Sequence, residues 1–138
     1  QAQIFDLLRD LRKDTGTSII LITHDMGAVA EMAERMIVMY AGRGAEIGPV
    51  DQIIDHARHP YTKGLISCVP HIVSSLSDTR ERLTEVPGIV PGLGEFGRDM
   101  CLFASRCDLR TEQCLSARPP MQPFENGQLA ACWRAEEV

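Results

Sequence analysis

The segment Thr17 to Asp25 reads T-S-I-I-L-I-T-H-D and narrows the possible folds sharply. Ser18 to Ile22 is a short apolar run rich in β-branched residues. Gly16 bounds it on one side and Thr23-His24-Asp25 on the other. A run of that length and composition predicts a strand buried on both faces, as in a parallel sheet. A histidine at the carboxyl end of such a strand stands where open α/β sheets place their ligand chemistry. An exposed imidazole there can hydrogen-bond a phosphate oxygen or hold a water in line for attack on it. Asp25 suits the N-cap of a following helix, because its carboxylate accepts orphan backbone N–H groups.

The flanking sequence builds outward from that strand. Gln1 to Thr15 predicts an amphipathic helix, with Ile4, Leu7, Leu8 and Leu11 on one face and Asp6, Arg9, Arg12 and Lys13 on the other. Gly16 is its expected stop. Met26 to Arg35 continues as a second helix, with Val29, Met32 and Ala33 facing the core. Met36 to Tyr40 and Ala45 to Ile47, around Ala41-Gly42-Arg43-Gly44, predict a hairpin. Pro49 can open a helix over Val50 to His56, and Pro60 another over Tyr61 to Cys68, closed by Pro70. Cys68, beside Leu65 and Val69, reads as a buried thiol. His71 to Arg82 is polar, and Pro87, Gly88, Pro91, Gly92, Gly94 and Gly97 then punctuate a stretch without period. A tail so poor in periodic apolar residues needs a staple to be ordered.

Cys101, Cys107, Cys114 and Cys132 are the candidates for that staple, in the spacing C-x5-C-x6-C-x17-C. Four thiolates can close a tetrahedral zinc site or hold a cubane iron–sulfur cluster. Zinc sites usually contain a tight C-x2–4-C chelate, which is missing, and looser spacing suits a larger object. Arg98, Arg106, Arg110, Arg118 and Arg134 lie in the same tail and could compensate an anionic cluster. Three readings stay open at this point: iron–sulfur, zinc, or no metal with free thiols or disulfides.

Composition excludes several function classes. With 44% apolar residues the chain is not disordered by composition, and its 138 residues suffice for one modest domain. The net charge of −5 without a polybasic block argues against nucleic acid or an anionic lipid surface as the main partner. No signal peptide and no bilayer-spanning run is evident. The five cysteines beside a parallel-strand signal suit metal ligands or free thiols better than a secreted disulfide framework. Opening on Gln1 within a helical pattern, the chain reads as part of a longer protein.

L-I-T-H-D-M-G-A-V-A-E-M-A-E-R-M-I-V-M-Y-A-G-R resembles the histidine switch region of ABC-transporter ATPases. H-P-Y-T-K-G-L, from His59 to Leu65, resembles the oligopeptide and dipeptide importer branch of that superfamily. C-L-F-A-S-R-C, with a later Cys and a closing C-W, resembles that branch's cysteine-rich extension, which in some members holds a [4Fe–4S] cluster. The resemblance implies an α/β fold: a partial P-loop NTPase (ABC ATPase) fold with a loop-rich, cysteine-containing C-terminal extension. It implies residues 1–70 as the C-terminal half of the nucleotide-binding domain and 71–138 as the extension. It implies ATP with Mg as cofactor in the intact subunit, His24 as the catalytic residue touching the γ-phosphate, and Cys101, Cys107, Cys114 and Cys132 as metal ligands. The implied partners are membrane permease subunits, a second ATPase subunit and, indirectly, a periplasmic peptide-binding protein, at the inner face of the cell membrane. The Walker B carboxylates fall before Gln1 by this resemblance, and no G-x-x-x-x-G-K-[ST] is present. The chain alone is therefore expected to be inactive and, with Ile19 to Ile22 lacking partner strands, to self-associate. The alternatives are a non-enzymatic metal-binding interaction module, or the same ATPase serving nickel or glutathione import.

Overall fold

The computed structural model describes residues 2–68, 86–92, 94 and 99–138. Pro70, the polar run from His71 to Arg82, Gly97 and Arg98 lie outside the described residues. Helix α1, Ala2–Thr15, ends as expected. Gly16 takes a left-handed φ of 67° and returns its N–H to Arg12 O at 3.0 Å. The apolar stripe of α1 is not buried, however: Ile4, Leu7 and Leu11 are exposed. Its polar face makes the ties instead, through Arg9 to Glu31 at 2.8 Å and an ion pair between Arg12 and Glu34.

The expected buried strand at residues 18–22 is not found. Residues 17–23 carry no strand pairing, and Ile20 and Ile22 are 90% and 94% exposed. A strand is defined by its ladder, and no described residue supplies a partner for this one. The sheet that does form is antiparallel, not parallel, with order β1-β2-β4-β3. It comprises β1 (Arg35–Tyr40), β2 (Arg43–Pro49), β3 (Gln122–Pro123) and β4 (Leu129–Ala130).

The hairpin β1–β2 matches its sequence signal. Its turn is Ala41-Gly42, with φ of 48° and 76°, the two-residue geometry whose twist suits flanking strands. β1 alternates strictly, with Met36, Val38 and Tyr40 inward and Arg35, Ile37 and Met39 outward. The register then slips between Val38 and Met39, which pair with Glu46 and Gly44. Ala45 is the unpaired extra residue of this bulge, and both Ala45 and Glu46 end up buried.

Helix α2, Met26–Met32, precedes β1, while α3, Val50–Asp55, and α4, Pro60–Ser67, follow β2. Met36, Val38, Val50 and Ile53 form one core, against which Val29, Ala33, Tyr61 and Leu65 pack. Tyr40, Ala45 and Phe103 form a second, with Leu102 and Val86 against it. Cys68, expected to be buried, is only half-buried at the end of α4. After it come a 3-10 turn, Ala104–Arg106, and α5, Glu112–Ser116. The C-terminal stretch is joined to the hairpin by β2–β4 pairing at Glu46 with Ala130 and Ile47 with Leu129.

Candidate functional site

His24 stands in a bend immediately before α2 and is exposed. The bend is fixed from both sides. Asp25 N–H donates to Thr23 Oγ1 at 3.0 Å, and Asp25 Oδ1 accepts from Ala28 N–H at 3.1 Å. Asp25 is thus the N-cap that its sequence position predicts, in extended backbone with φ −89° and ψ 102°. The imidazole is held at a defined point of the backbone and open to an approaching ligand.

A second group of polar residues lies inside. Glu46 is fully buried and accepts from Arg58 N–H at 2.8 Å and His59 N–H at 3.0 Å. Gln128, also fully buried, donates through Nε2 to Glu46 Oε1 at 3.3 Å, Gln52 O at 3.1 Å and His56 O at 2.9 Å. Burial pushes the Glu46 carboxyl above its ordinary range, against the N–H groups of Arg58 and His59 and the Arg58 charge. The buried Thr62 hydroxyl lies near enough to favour the carboxylate without an ordinary hydrogen bond to it.

His59 caps α4. Its Nδ1 accepts from Tyr61 N–H at 3.1 Å, and Pro60 occupies the first turn. Only 4% exposed, it is pushed down to about 4 by burial, so the ring is neutral at pH 7. The helix start at His59-Pro60 is the role its sequence indicates. Sequence reasoning missed Glu46 and Gln128. The bulge breaks the alternation that would have marked Glu46 as inward, and Gln128 lies just before β4, a strand of only two residues.

The four cysteines of the tail are free thiols, Cys114 buried and Cys101, Cys107 and Cys132 half-buried. Cys101 N–H donates to Cys114 O at 2.8 Å, joining two of them through the backbone. Burial pushes the Cys132 thiol up to about 11, and the neighbouring Cys107, Cys101 and Cys114 push it the same way. The Cys107 thiol is raised by burial and then by Cys101 and Cys114. Cys101 and Cys107 both pack against the core of Tyr40, Ala45 and Phe103. Backbone donors face the sulfurs: Arg134 N–H reaches Cys132 Sγ at 3.4 Å, Phe103 and Ala104 N–H face Cys101, and Leu109 N–H faces Cys107. Among the described residues, no three such side chains converge as ligands of one metal ion.

The arginines divide. Arg118 and Arg134 act electrostatically on the cysteines. Arg106 turns away, donating to Pro87 O at 2.8 Å and Val86 O at 3.0 Å with its guanidinium over Phe103. No helix among the described residues is long and apolar enough to cross a membrane.

Residues 45–114 match the family model described as the oligopeptide/dipeptide transporter, C-terminal region. The chain is 40% identical, over 140 residues, to a peptide import ATP-binding protein of Brucella ovis, covering 100% of this chain and 41% of that relative. It is 42% identical over 137 residues to the oligopeptide transport ATP-binding protein of Haemophilus influenzae, covering 99% of this chain and 41% of the relative. A peptide ABC transporter ATP-binding protein of Sinorhizobium fredii is 42% identical over 140 residues, with coverage of 100% and 40%. The chain thus spans about two fifths of the length of these relatives.

Proposed function

Because this chain belongs to the oligopeptide/dipeptide transporter C-terminal region family, we propose that it is the C-terminal part of an ATP-hydrolysing subunit of an ABC peptide importer. The observation that carries the reading is the end-to-end match of the chain to relatives named for peptide import and ATP binding. Residues 1–70 belong, in this reading, to the nucleotide-binding domain and 71–138 to its extension. The subunit works with ATP and Mg at the cytoplasmic face of the cell membrane. Its partners are permease subunits, a second ATPase subunit and, beyond the membrane, a peptide-binding protein. The relatives' names lend nothing to nickel or glutathione as cargo, nor to a non-enzymatic module.

His24 is the catalytic residue of the proposal. Exposed and held before a capped helix, its imidazole donates to a γ-phosphate oxygen and helps align the attacking water. The sequence contains no phosphate-cradling glycine loop, so the chain by itself turns over no ATP. In the full subunit His24→Ala lowers ATP turnover by about 100-fold or more, the lower range for a general-acid/base or water-positioning group. Turnover unchanged in that variant overturns the role of His24.

Cys101, Cys107, Cys114 and Cys132 are proposed as ligands of a [4Fe–4S] cluster. Their mutual electrostatic reach and the N–H groups directed at sulfur support this. Bound there, the cluster supplies a covalent tie among 3-10 turn, α5 and the C-terminal residues. Anaerobically purified protein is expected to be brown, with iron and acid-labile sulfide in equal amounts. Colourless protein with equimolar zinc overturns the assignment.

A further inference from the structure

Between the hairpin turn and the C-terminal stretch lies a cavity of about 430 Å³, in the range of small-molecule sites, that the ATPase reading does not use. Leu102, Phe103 and Met121 give it an apolar wall. Tyr40 and His59 line the same cavity and are only 7% and 4% exposed. Both rings stand against Phe103, with centroids 5.2 Å and 5.8 Å from its own.

Each of these two side chains leaves one polar group unused. His59 Nδ1 accepts from Tyr61 N–H, so the neutral ring carries its proton on Nε2. No hydrogen bond among the described residues uses that Nε2–H. The Tyr40 hydroxyl is buried and also has no hydrogen-bond partner among the described residues. Buried polar groups are almost always paired, so two orphans on the wall of one cavity point to an occupant that pairs them. The imidazole Nε2–H can only donate, whereas the hydroxyl oxygen can accept. A donor and an acceptor side by side match a neutral amide, which carries one group of each kind. A carboxylate would bring a charge that a hydroxyl and a neutral imidazole do not balance. Arg43 is exposed, and Arg118 is engaged elsewhere, with Met100 O at 3.5 Å among its partners. Neither arginine is therefore assigned to the occupant.

We propose that this cavity binds a small uncharged amide, its carbonyl accepting from His59 Nε2–H, its N–H donating to the Tyr40 hydroxyl oxygen and its carbon body against Leu102, Phe103 and Met121. The ATPase assignment can fail without touching this site, and the site can fail without touching that assignment.

NMR titration of the full chain, followed at the His59 ring nitrogens, tests it with three probes that share an isobutyl group: N-isobutylacetamide, isobutyl acetate and 4-methylpentanoate. The amide is expected to bind saturably and to move the His59 Nε2 resonance. The ester, which keeps the carbonyl and lacks the N–H, binds about fivefold more weakly. The carboxylate binds at least about tenfold more weakly than the amide. Tyr40→Phe keeps the ring and its edge contacts with Tyr61 and Phe103. It should bring the amide down to the affinity of the ester and leave the ester unchanged. The proposal is overturned by no saturable shift with the amide, or by the carboxylate binding as tightly. A gap between amide and ester that survives Tyr40→Phe overturns it as well.

Discussion

Residues 2–24 and the unit built on the hairpin and the C-terminal stretch use their side chains in opposite ways. In the first, Ile4, Leu7, Leu11, Ile20 and Ile22 face solvent, while exposed arginines make the ties to Glu31 and Glu34. In the second, apolar side chains close two cores, and a carboxylate, an amide and an imidazole are sealed between them. An exposed ion pair is worth about 0–1 kcal/mol, whereas a buried polar group stripped of its partner costs about 1–3 kcal/mol. Stability therefore concentrates in the hairpin unit. The N-terminal segment keeps an apolar surface of the sort that seeks a partner. In the proposed subunit that partner is the rest of the nucleotide-binding domain.

The sharpest way to break this contrast is at Glu46. Its carboxylate accepts from two successive backbone N–H groups and from Gln128. Glu46→Ala leaves the Arg58 and His59 N–H groups without an acceptor, while Gln128 keeps Gln52 O and His56 O, and is expected to cost about 3–5 kcal/mol. Ile20→Ser, at a 90% exposed site, is expected to change stability by less than about 0.5 kcal/mol while weakening self-association. Urea unfolding of both variants, with light scattering on the second, decides the matter. Equal losses of stability would mean that the two regions are not distinct.

Acidification gives the next largest effect. His59 titrates near 4 in the folded chain against 6.5 when unfolded. The unfolded state thus binds more protons between those values, and stability present above about pH 6.5 is lost as pH falls toward 4, by about 3 kcal/mol. Glu46, raised by burial, works with the opposite sign: as pH falls through its own window the folded state takes the proton more readily. The two therefore partly offset. His59→Asn separates them, since an amide oxygen can still cap α4 but does not titrate. Its midpoint in urea should lose the acid-induced fall and show the Glu46 slope alone. A pH dependence identical to that of the parent chain would remove His59 from the account.

Local chemistry was legible in the sequence where a single residue dictates geometry. The Gly16 stop, the Asp25 cap, the turn around Gly42 and the Pro60 helix start all stand where their residue types require. What could not be read depends on partners distant in sequence. The apolar run at 18–22 has the composition of a buried strand, yet composition supplies no neighbouring strand to pair with. Glu46 sits beside a one-residue bulge, so the period that would have shown it facing inward is interrupted there. Gln128 is 76 residues from Gln52, whose carbonyl it meets, and nothing local announces that contact. At the candidate site the company of the residues could not be read from the sequence. His24 is exposed as its position suggests, and among the described residues Arg118 and Arg134 act on the cysteines while Arg106 turns away.

An effect smaller than that of acidification sits at the junction of the two regions. Asp25 fixes the residue after His24 by accepting from Ala28 N–H, and α2 is only seven residues long. A helix that short depends on its cap, because it has few interior bonds to share the cost of its orphan N–H groups. Asp25→Ala is expected to cost about 1 kcal/mol. The loss should be local: amide exchange rises through α2, whose Met26 and Val29 pack with Ala33 against the hairpin core, while β1 and β2 stay protected by their own ladder. Arg12→Ala, which removes an exposed ion pair to Glu34 just beyond α2, should change exchange there far less. If the two substitutions loosen α2 equally, the cap does not hold His24 in place. The bend before α2 would then owe its shape to the tie from α1.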